Sequence, residues 1–469
     1  MTERHHINPL IKSTLFYIIA TAIGQGMSFV SIIVFTRLMS KEDYGLYSTY
    51  FAAVSVLEVF TGANLFISLN NAYVDHHARF AEYQKTVLVL SGLVFAALFC
   101  FLSFLKAAFF AEVSWFVLCF ALFHAYAFFL VNYAVYSANM KSDYRRKTLY
   151  LLIPNTLQFL FALVLVRVFS DSTFPARIIG STAAVLLCAI TVYYNVLRQP
   201  GHLIVINDWK YAFRIAVPSI AMSVSYMLMQ QCDKMMITGI CGAEETAVYS
   251  VIFYLGYALL AINQAIAPVR QAWVFKNIES IERMVFRNIQ KWYLLGIAFL
   301  ATGVLMIAPE VIKLLLRREY WRYEFIAPFV LSACLSISCG FSSELAMYYK
   351  KNGLLSISVV AAAALNVGLN VILLPRVGAV AAAYTTVAAY LLLHVLASLV
   401  IQKKNGKLYS KRLFLLFFLF VAAECGIFAL LHSMILLRYV VYAVLLAAMV
   451  FYAIRRKEEW IRAIKKSEI

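Results

Sequence analysis

The sequence predicts an all-α, polytopic membrane protein of about 14 transmembrane helices, arranged as two six-helix lobes with two additional C-terminal helices. Three observations lead there. Of the 469 residues, 63% are hydrophobic and 14% charged, against about 45–50% and about 25% in soluble domains, and the mean hydropathy is +0.80. The apolar residues fall in runs of about 20, the length that carries a helix across the hydrocarbon layer. An internal similarity also recurs at an offset of 202 residues, where Thr36, Glu42, Asp43, Tyr47 and Ser48 match Thr238, Glu244, Glu245, Tyr249 and Ser250.

The first run, 13–36, follows Arg4 and Lys12 and contains the small triplet Ala20, Thr21, Ala22, as a secretory signal would. It continues to Phe35, beyond the about 7–15 apolar residues of a signal, and is read as an uncleaved span. Runs at 46–69, 86–106, 113–136, 148–169 and 178–197 complete an N-terminal lobe over 1–197, and 198–212 is a cytoplasmic linker. The C-terminal lobe, 213–401, holds runs at 213–237, 246–270, 291–316, 325–348, 354–374 and 378–401. Residues 402–469 add runs at 412–432 and 436–454 and a basic cytoplasmic tail. Because an even number of spans separates the repeats, the lobes are parallel, related by an axis along the membrane normal. Pro154, Pro218 and Pro268 can kink their spans, and Gly24 and Gly26 permit close packing or bending of the first.

An even span count puts both termini on one side. About 29 Lys and Arg fall on that side against about 11 opposite, which places the termini in the cytoplasm. The richest stretches are Lys141–Lys147, Arg270–Lys291, Lys403–Arg412 and the tail from Arg455; Lys313, Arg317, Arg318 and Arg322 dissent. The formal charge of +18 is accounted for by cytoplasmic loops beside anionic lipid and does not call for nucleic acid. No extramembrane segment exceeds about 20 residues, too few for a soluble catalytic domain. Seven of the eight cysteines lie in or at the ends of apolar runs and Cys241 in a short loop, a pattern of neither disulfides nor zinc. With no nucleotide loop, metal motif or nucleophile beside a base, the sequence reads as no enzyme.

Ionisable groups at bilayer depth are costly and face a bundle interior or a watery cavity. Glu58 and His124, in the middle of spans 2 and 4, are either a proton-coupling pair or a neutral carboxyl and a histidine satisfied by neighbouring hydroxyls and amides. Asp233 and Lys234, at the outer end of span 7, either bind a cation and an anionic substrate respectively or snorkel to the interface. Arg37 and Arg270, at helix ends, can meet phosphate oxygens in bidentate fashion or simply anchor their helices. Asn366 and Asn370 share a helical face, followed by Thr385 and Thr386. Their oxygens can coordinate sodium with a carboxylate, or join helices by hydrogen bonds. Glu344, His394 and Glu424 are read as structural, and Met227, Met229, Met235 and Met236 as adaptable packing.

Four stretches carry a resemblance: FTRLMSKEDYGLYSTYFA (35–52), CDKMMITGICGAEETAVYSVIFYLGYALLAINQAIAPVRQAW (232–273), APEVIKLLLRREYWRYEFIAPFVLSA (308–333) and MYYKKNGLLSISVVAAAALNVGLNVILLPRVGAVAAAYTT (347–386). In this order the chain resembles the polysaccharide-transport flippases of the multidrug/oligosaccharidyl-lipid/polysaccharide (MOP) exporter superfamily. The resemblance implies a bacterial inner-membrane protein with two MATE-like lobes around a central cavity. It would move undecaprenyl-pyrophosphate-linked oligosaccharide to the periplasmic leaflet for O-antigen, capsule or exopolysaccharide, with no cofactor beyond Na+ or H+ as a coupling ion. Polysaccharide polymerases are implied assembly partners, and a cation-coupled multidrug exporter is the alternative within the fold. The related lipid II flippases are similar in holding sodium with an Asp on span 7, two residues four apart on span 11 and a Thr on span 12. These match Asp233, Asn366, Asn370 and Thr385 or Thr386. Asn370 stands where those proteins carry an Asp, one negative charge fewer, and their arginines in the middle of spans 1 and 2 are unmatched.

Overall fold

The computed structural model describes residues 9–109, 114–141, 143–278, 282–405 and 410–458, and their regular structure is helical. In chain order the α-helices are α1 (Pro9–Leu38), α2 (Lys41–Thr61), α3 (Ser68–Asp75), α4 (Phe80–Phe109), α5 (Trp115–Met140), α6 (Tyr144–Val168), α7 (Thr173–Leu197) and α8 (Ile206–Cys241). They continue as α9 (Ala243–Gly256), α10 (Ala258–Asn277), α11 (Arg283–Leu315), α12 (Ile326–Tyr348), α13 (Asn352–Val377), α14 (Val380–Asn405), α15 (Lys411–Leu431) and α16 (Ile435–Arg455). Among the described residues, 11 helices are long and apolar enough to cross a membrane, or 13 spans if two bent pairs count as one each. α1 adds the apolar stretch Ile23–Leu38. The chain is a multi-pass, all-α membrane protein.

Local chemistry sets many of the ends. The Ser40 side chain accepts from the Asp43 backbone N–H at the start of α2, and Asp143 and Ser410 do the same for α6 and α15. Gly242 and Gly378, at φ 98° and 80°, stop α8 and α13 in a backbone region that side chains resist.

Two spans expected to be single helices are broken instead. Lys41–Thr61 and Leu65–Asp75 meet at 58°, and Ala243–Gly256 and Ala258–Gln264 at 47°. At the first break Ala63 and Asn64 take φ of 46° and 56°, a left-handed conformation rarely adopted without a compensating contact. The compensation is the Asn64 amide, which donates to Ser219 Oγ and Ser223 Oγ of α8, each at 2.9 Å. At the second, Gly256 lets the chain lie where a Cβ would stand 2.4 Å from Phe329 Cβ. By contrast, α6 and α8 continue through Pro154 and Pro218. The side chains of residues 1–22, of Pro268 and of 402–409, and the chain beyond 458, lie outside the described residues.

The chain divides into two compact units, Met1–Ala247 and Val248–Ile469. In the first, α2 packs on α5 and α8, and α6 lies against α1 and α7. A Cβ on Gly180 would come 2.7 Å from the Ala162 backbone, so α7 meets α6 through a residue with no side chain. In the second unit α12 is central, packed on α10, α11, α14 and α15, while α13 lies on α14 and α16 on α11 and α15.

Candidate functional site: ionisable groups sealed within each unit

His124 of α5 is fully buried. The hydroxyls of Tyr50 and Thr182 each lie 3.1 Å from Nδ1, and the Gln158 amide nitrogen lies 3.2 Å from Nε2. With that amide donating, Nε2 accepts and Nδ1 carries the proton, a neutral tautomer fixed by its neighbours. The ring stacks on Phe128 at a centroid distance of 4.8 Å. Glu58 of α2 is half-buried and accepts from the Asn132 amide of α5. Among the described residues no hydrogen bond joins Glu58 to His124; the two candidates keep separate partners.

Asp233 and Lys234 of α8 are both 2% exposed, so neither side chain snorkels to the interface. Lys234 Nζ donates to Gln231 Oε1 at 2.9 Å. Arg37, at the end of α1, is exposed. Further along α8, Thr238 and Thr49 of α2 place their hydroxyls in hydrogen-bond contact, and Thr238 also meets Thr246 at 2.7 Å. Lys41 pairs with Glu244 at 3.4 Å, and a Cβ on Gly45 would lie 1.8 Å from the Ala243 carbonyl oxygen. The start of α2 and the α8–α9 turn therefore touch backbone to backbone.

Beside this contact lies Arg177, which the sequence reading missed. It is 7% exposed, with its guanidinium carbon 3.8 Å from the centre of the Tyr47 ring, 4.1 Å from Phe35 and 5.0 Å from Tyr44. Cation–π attraction replaces a carboxylate here. The aromatics come from α1 and α2, so no local spacing in the sequence announced the cage.

In the second unit Arg270 of α10 is held by Glu344 of α12. Nε lies 3.1 and 3.2 Å from the two carboxylate oxygens, and Nη2 lies 2.8 Å from Oε1. The faces of Phe341 and Tyr293 flank the guanidinium at 4.3 and 4.7 Å, and Nη1 is buried with no hydrogen-bond partner among the described residues. Glu344, read from the sequence as structural, is thus the partner of a substrate candidate. Asn366, Asn370, Thr385 and Thr386 are all buried where α13 meets α14. Thr385 donates to Asn370 Oδ1, and the Asn366 amide lies 3.4 and 3.3 Å from Thr385 and Thr386. Within this quartet the contacts are interhelical hydrogen bonds. Asp233, assigned to the same sodium set, belongs to the first unit. Among the described residues no group of three or more His, Cys, Asp or Glu is placed to hold a metal ion. Glu424 accepts from Thr302, and Arg438, fully buried in α16, pairs with Glu310 and donates to the His432 carbonyl at 2.6 Å.

A multi-pass helical chain with ionisable groups enclosed by its own helices has the build of a membrane transporter. Over residues 10–274, more than half its length, the sequence matches the family described as Polysaccharide biosynthesis protein, and the chain belongs to that family. No curated protein matches it. Among solved structures it is similar to the lipid II flippase MurJ in an inward closed conformation, with a TM-score of 0.71 and 13% identity over 95% of this chain and 99% of that one. It is also similar to the MATE transporter VcmN of Vibrio cholerae (TM-score 0.58, 16% identity, 87% and 98% covered). An outward-facing multidrug resistance MATE family transporter of the MOP superfamily gives 0.56, 12%, and 86% and 97%. The chain shares the fold of these transporters.

Proposed function

We propose that the protein is a flippase that carries undecaprenyl-pyrophosphate-linked oligosaccharide across the bacterial inner membrane for surface polysaccharide assembly. The observation that carries this reading is the polysaccharide-biosynthesis family match, joined to a likeness to MurJ that spans 95% of the chain. The unmatched remainder is shorter than α15 and α16 together, so the likeness extends into the appended helices. The MATE likenesses cover less of the chain, 86–87%, at lower TM-scores. In this reading residues 1–197 and 213–401 are lobes that rock about a cationic cavity, both termini are cytoplasmic, and Arg37, Lys234 and Arg270 meet the pyrophosphate. Removing the gene should strand complete lipid-linked repeat units on the cytoplasmic face and abolish surface polymer, measured by mass spectrometry of the lipid extract. Normal glycan lipids with altered drug susceptibility would establish the exporter instead.

Among the ion-coupling candidates, Glu58 keeps the most capacity for exchange, because Asn132 is its side-chain partner among the described residues and it is half-buried. His124 and the quartet of Asn366, Asn370, Thr385 and Thr386 are tied into hydrogen bonds. We therefore expect Glu58→Gln to flatten the pH dependence of transport into liposomes. His124→Ala should lower the yield of folded protein and leave that pH profile in place. A profile unchanged by both substitutions removes proton coupling through this pair, and transport that needs sodium would return the role to Asp233 and the Asn–Thr quartet.

A further inference from the structure

A cavity of about 590 Å³ opens between the ends of α5, α6 and α7 in the first unit, within the range of about 300–1,000 Å³ that holds small ligands. None of the residues assigned above to substrate or ion lines it. One end is cationic. Lys141, the residue that ends α5, and Arg146, in the first turn of α6, both line it. The lining carboxylate, Asp143, is engaged locally: Oδ1 accepts from the Arg146 backbone N–H at 3.1 Å, and Oδ2 lies 3.3 Å from Arg146 Nε. Among the described residues the Lys141 ammonium donates to Gln84 Oε1 at 2.9 Å and lies 5.5 Å from the centre of the Phe80 ring, and an ammonium carries three donors. Burial holds this ammonium below its usual range, and nearby Arg146 pushes the same way against Asp143. An anion between the two cations would relieve both effects.

A second, independent feature lies on the same wall. Among the described residues Gln199 Oε1, on a side chain that lines the cavity, is buried with no hydrogen-bond partner, an acceptor that a ligand hydroxyl or ammonium would satisfy once the side chain turns toward it. The far end of the cavity is apolar: Leu149 and Ile153 line it while remaining 52% and 44% exposed. They follow Arg146 at helical spacings of three and seven, so the cation and the apolar side chains share one face of α6. Leu187 and Ile190 of α7 are exposed nearby in sequence to the lining residue Cys188. In a multi-pass chain such side chains belong in lipid.

We propose that this cavity binds the phosphate head of a membrane amphiphile. Lys141 and Arg146 hold the phosphate, Gln199 accepts from a headgroup hydroxyl or ammonium, and the hydrocarbon chain lies over Leu149 and Ile153. Two membrane components carry this chemistry, an anionic phospholipid of the bilayer and a polyprenyl phosphate. The phospholipid source is independent of what the chain transports.

The test is native mass spectrometry of the full-length purified protein, titrated with phosphatidylglycerol, phosphatidylcholine, undecaprenyl pyrophosphate or inorganic pyrophosphate. The wild type should hold phosphatidylglycerol or undecaprenyl pyrophosphate at least about tenfold more tightly than phosphatidylcholine, as two interfacial cations allow. Both Lys141→Gln/Arg146→Gln and Asn195→Trp, which fills the cavity without changing charge, should abolish that preference. Arg455→Gln/Arg456→Gln, which removes two exposed cations elsewhere, should keep it. All variants are first matched to the wild type by gel filtration and thermal unfolding. Whichever of the two amphiphiles displaces the other names the source. Loss in the charge variant alone reduces the effect to surface attraction and overturns the cavity; loss in Asn195→Trp alone, or in neither, overturns phosphate recognition. Inorganic pyrophosphate binding as tightly as either lipid overturns the amphiphile.

Discussion

Glu344→Ala should destabilise the protein by about 3–5 kcal/mol, the usual consequence of leaving one member of a buried ion pair without the other. Arg270 and Glu344 are 8% and 5% exposed, and the guanidinium spends Nε and Nη2 on this one carboxylate. Phe341 and Tyr293 cover its faces, so no water replaces the lost partner cheaply, and among the described residues Nη1 already lacks one. The expected result is a markedly lower unfolding midpoint in detergent, followed by fluorescence-detected gel filtration on heating. Arg270→Met/Glu344→Leu should recover most of the loss, because removing both charges also removes their desolvation cost. A single variant as stable as the wild type would mean that Arg270 has another anion within reach. The double variant also separates the two roles open to Arg270. Stable but transport-dead protein would assign the guanidinium to the pyrophosphate, and stable, active protein would make the pair structural.

Helix positions were legible because bilayer thickness and apolar run length are the same quantity. The predicted run 354–374 lies inside Asn352–Val377, and the four-residue spacing of Asn366 and Asn370 correctly placed both on one buried face. The bends were not legible. Between Thr61 and Leu65 the only local signal is Gly62, and the conformation depends on Asn64 reaching Ser219 and Ser223, more than 150 positions away. The prolines do not mark the breaks, since α6 and α8 continue as helices through Pro154 and Pro218. Ion pairing failed for the same reason: Arg270 and Glu344 are 74 residues apart, and nothing along the chain says which carboxylate a buried arginine will find. Burial of Asp233 and Lys234 could be decided only by what packs around α8. Sequence spacing shows which residues of one helix share a face, and tertiary packing decides what that face meets.

The second large effect tests whether α2 and α8 must part during transport. In the proposed two-lobe scheme these helices belong to different lobes, yet Thr49 and Thr238 touch through their hydroxyls, Lys41 meets Glu244, and Gly45 leaves no room for a Cβ against Ala243. Thiols in place of the contacting hydroxyls would face each other, and a small closure toward the Cβ separation of about 3.8 Å that a disulfide spans would let them bond. The variant Thr49→Cys/Thr238→Cys should therefore cross-link under mild oxidation, with the linked peptide identified by mass spectrometry to separate it from pairs involving native Cys232 or Cys241. Alternating access requires the contact to open once per cycle, so the cross-linked protein should lose nearly all transport and regain it on reduction. Either single cysteine should remain active, because the substitution is small and the Thr49–Thr238 hydrogen bond is worth about 1 kcal/mol. Full transport by the cross-linked form would rule out separation of α2 from α8 at this level, and the moving boundary would then have to lie elsewhere, with α8 travelling as part of the first unit.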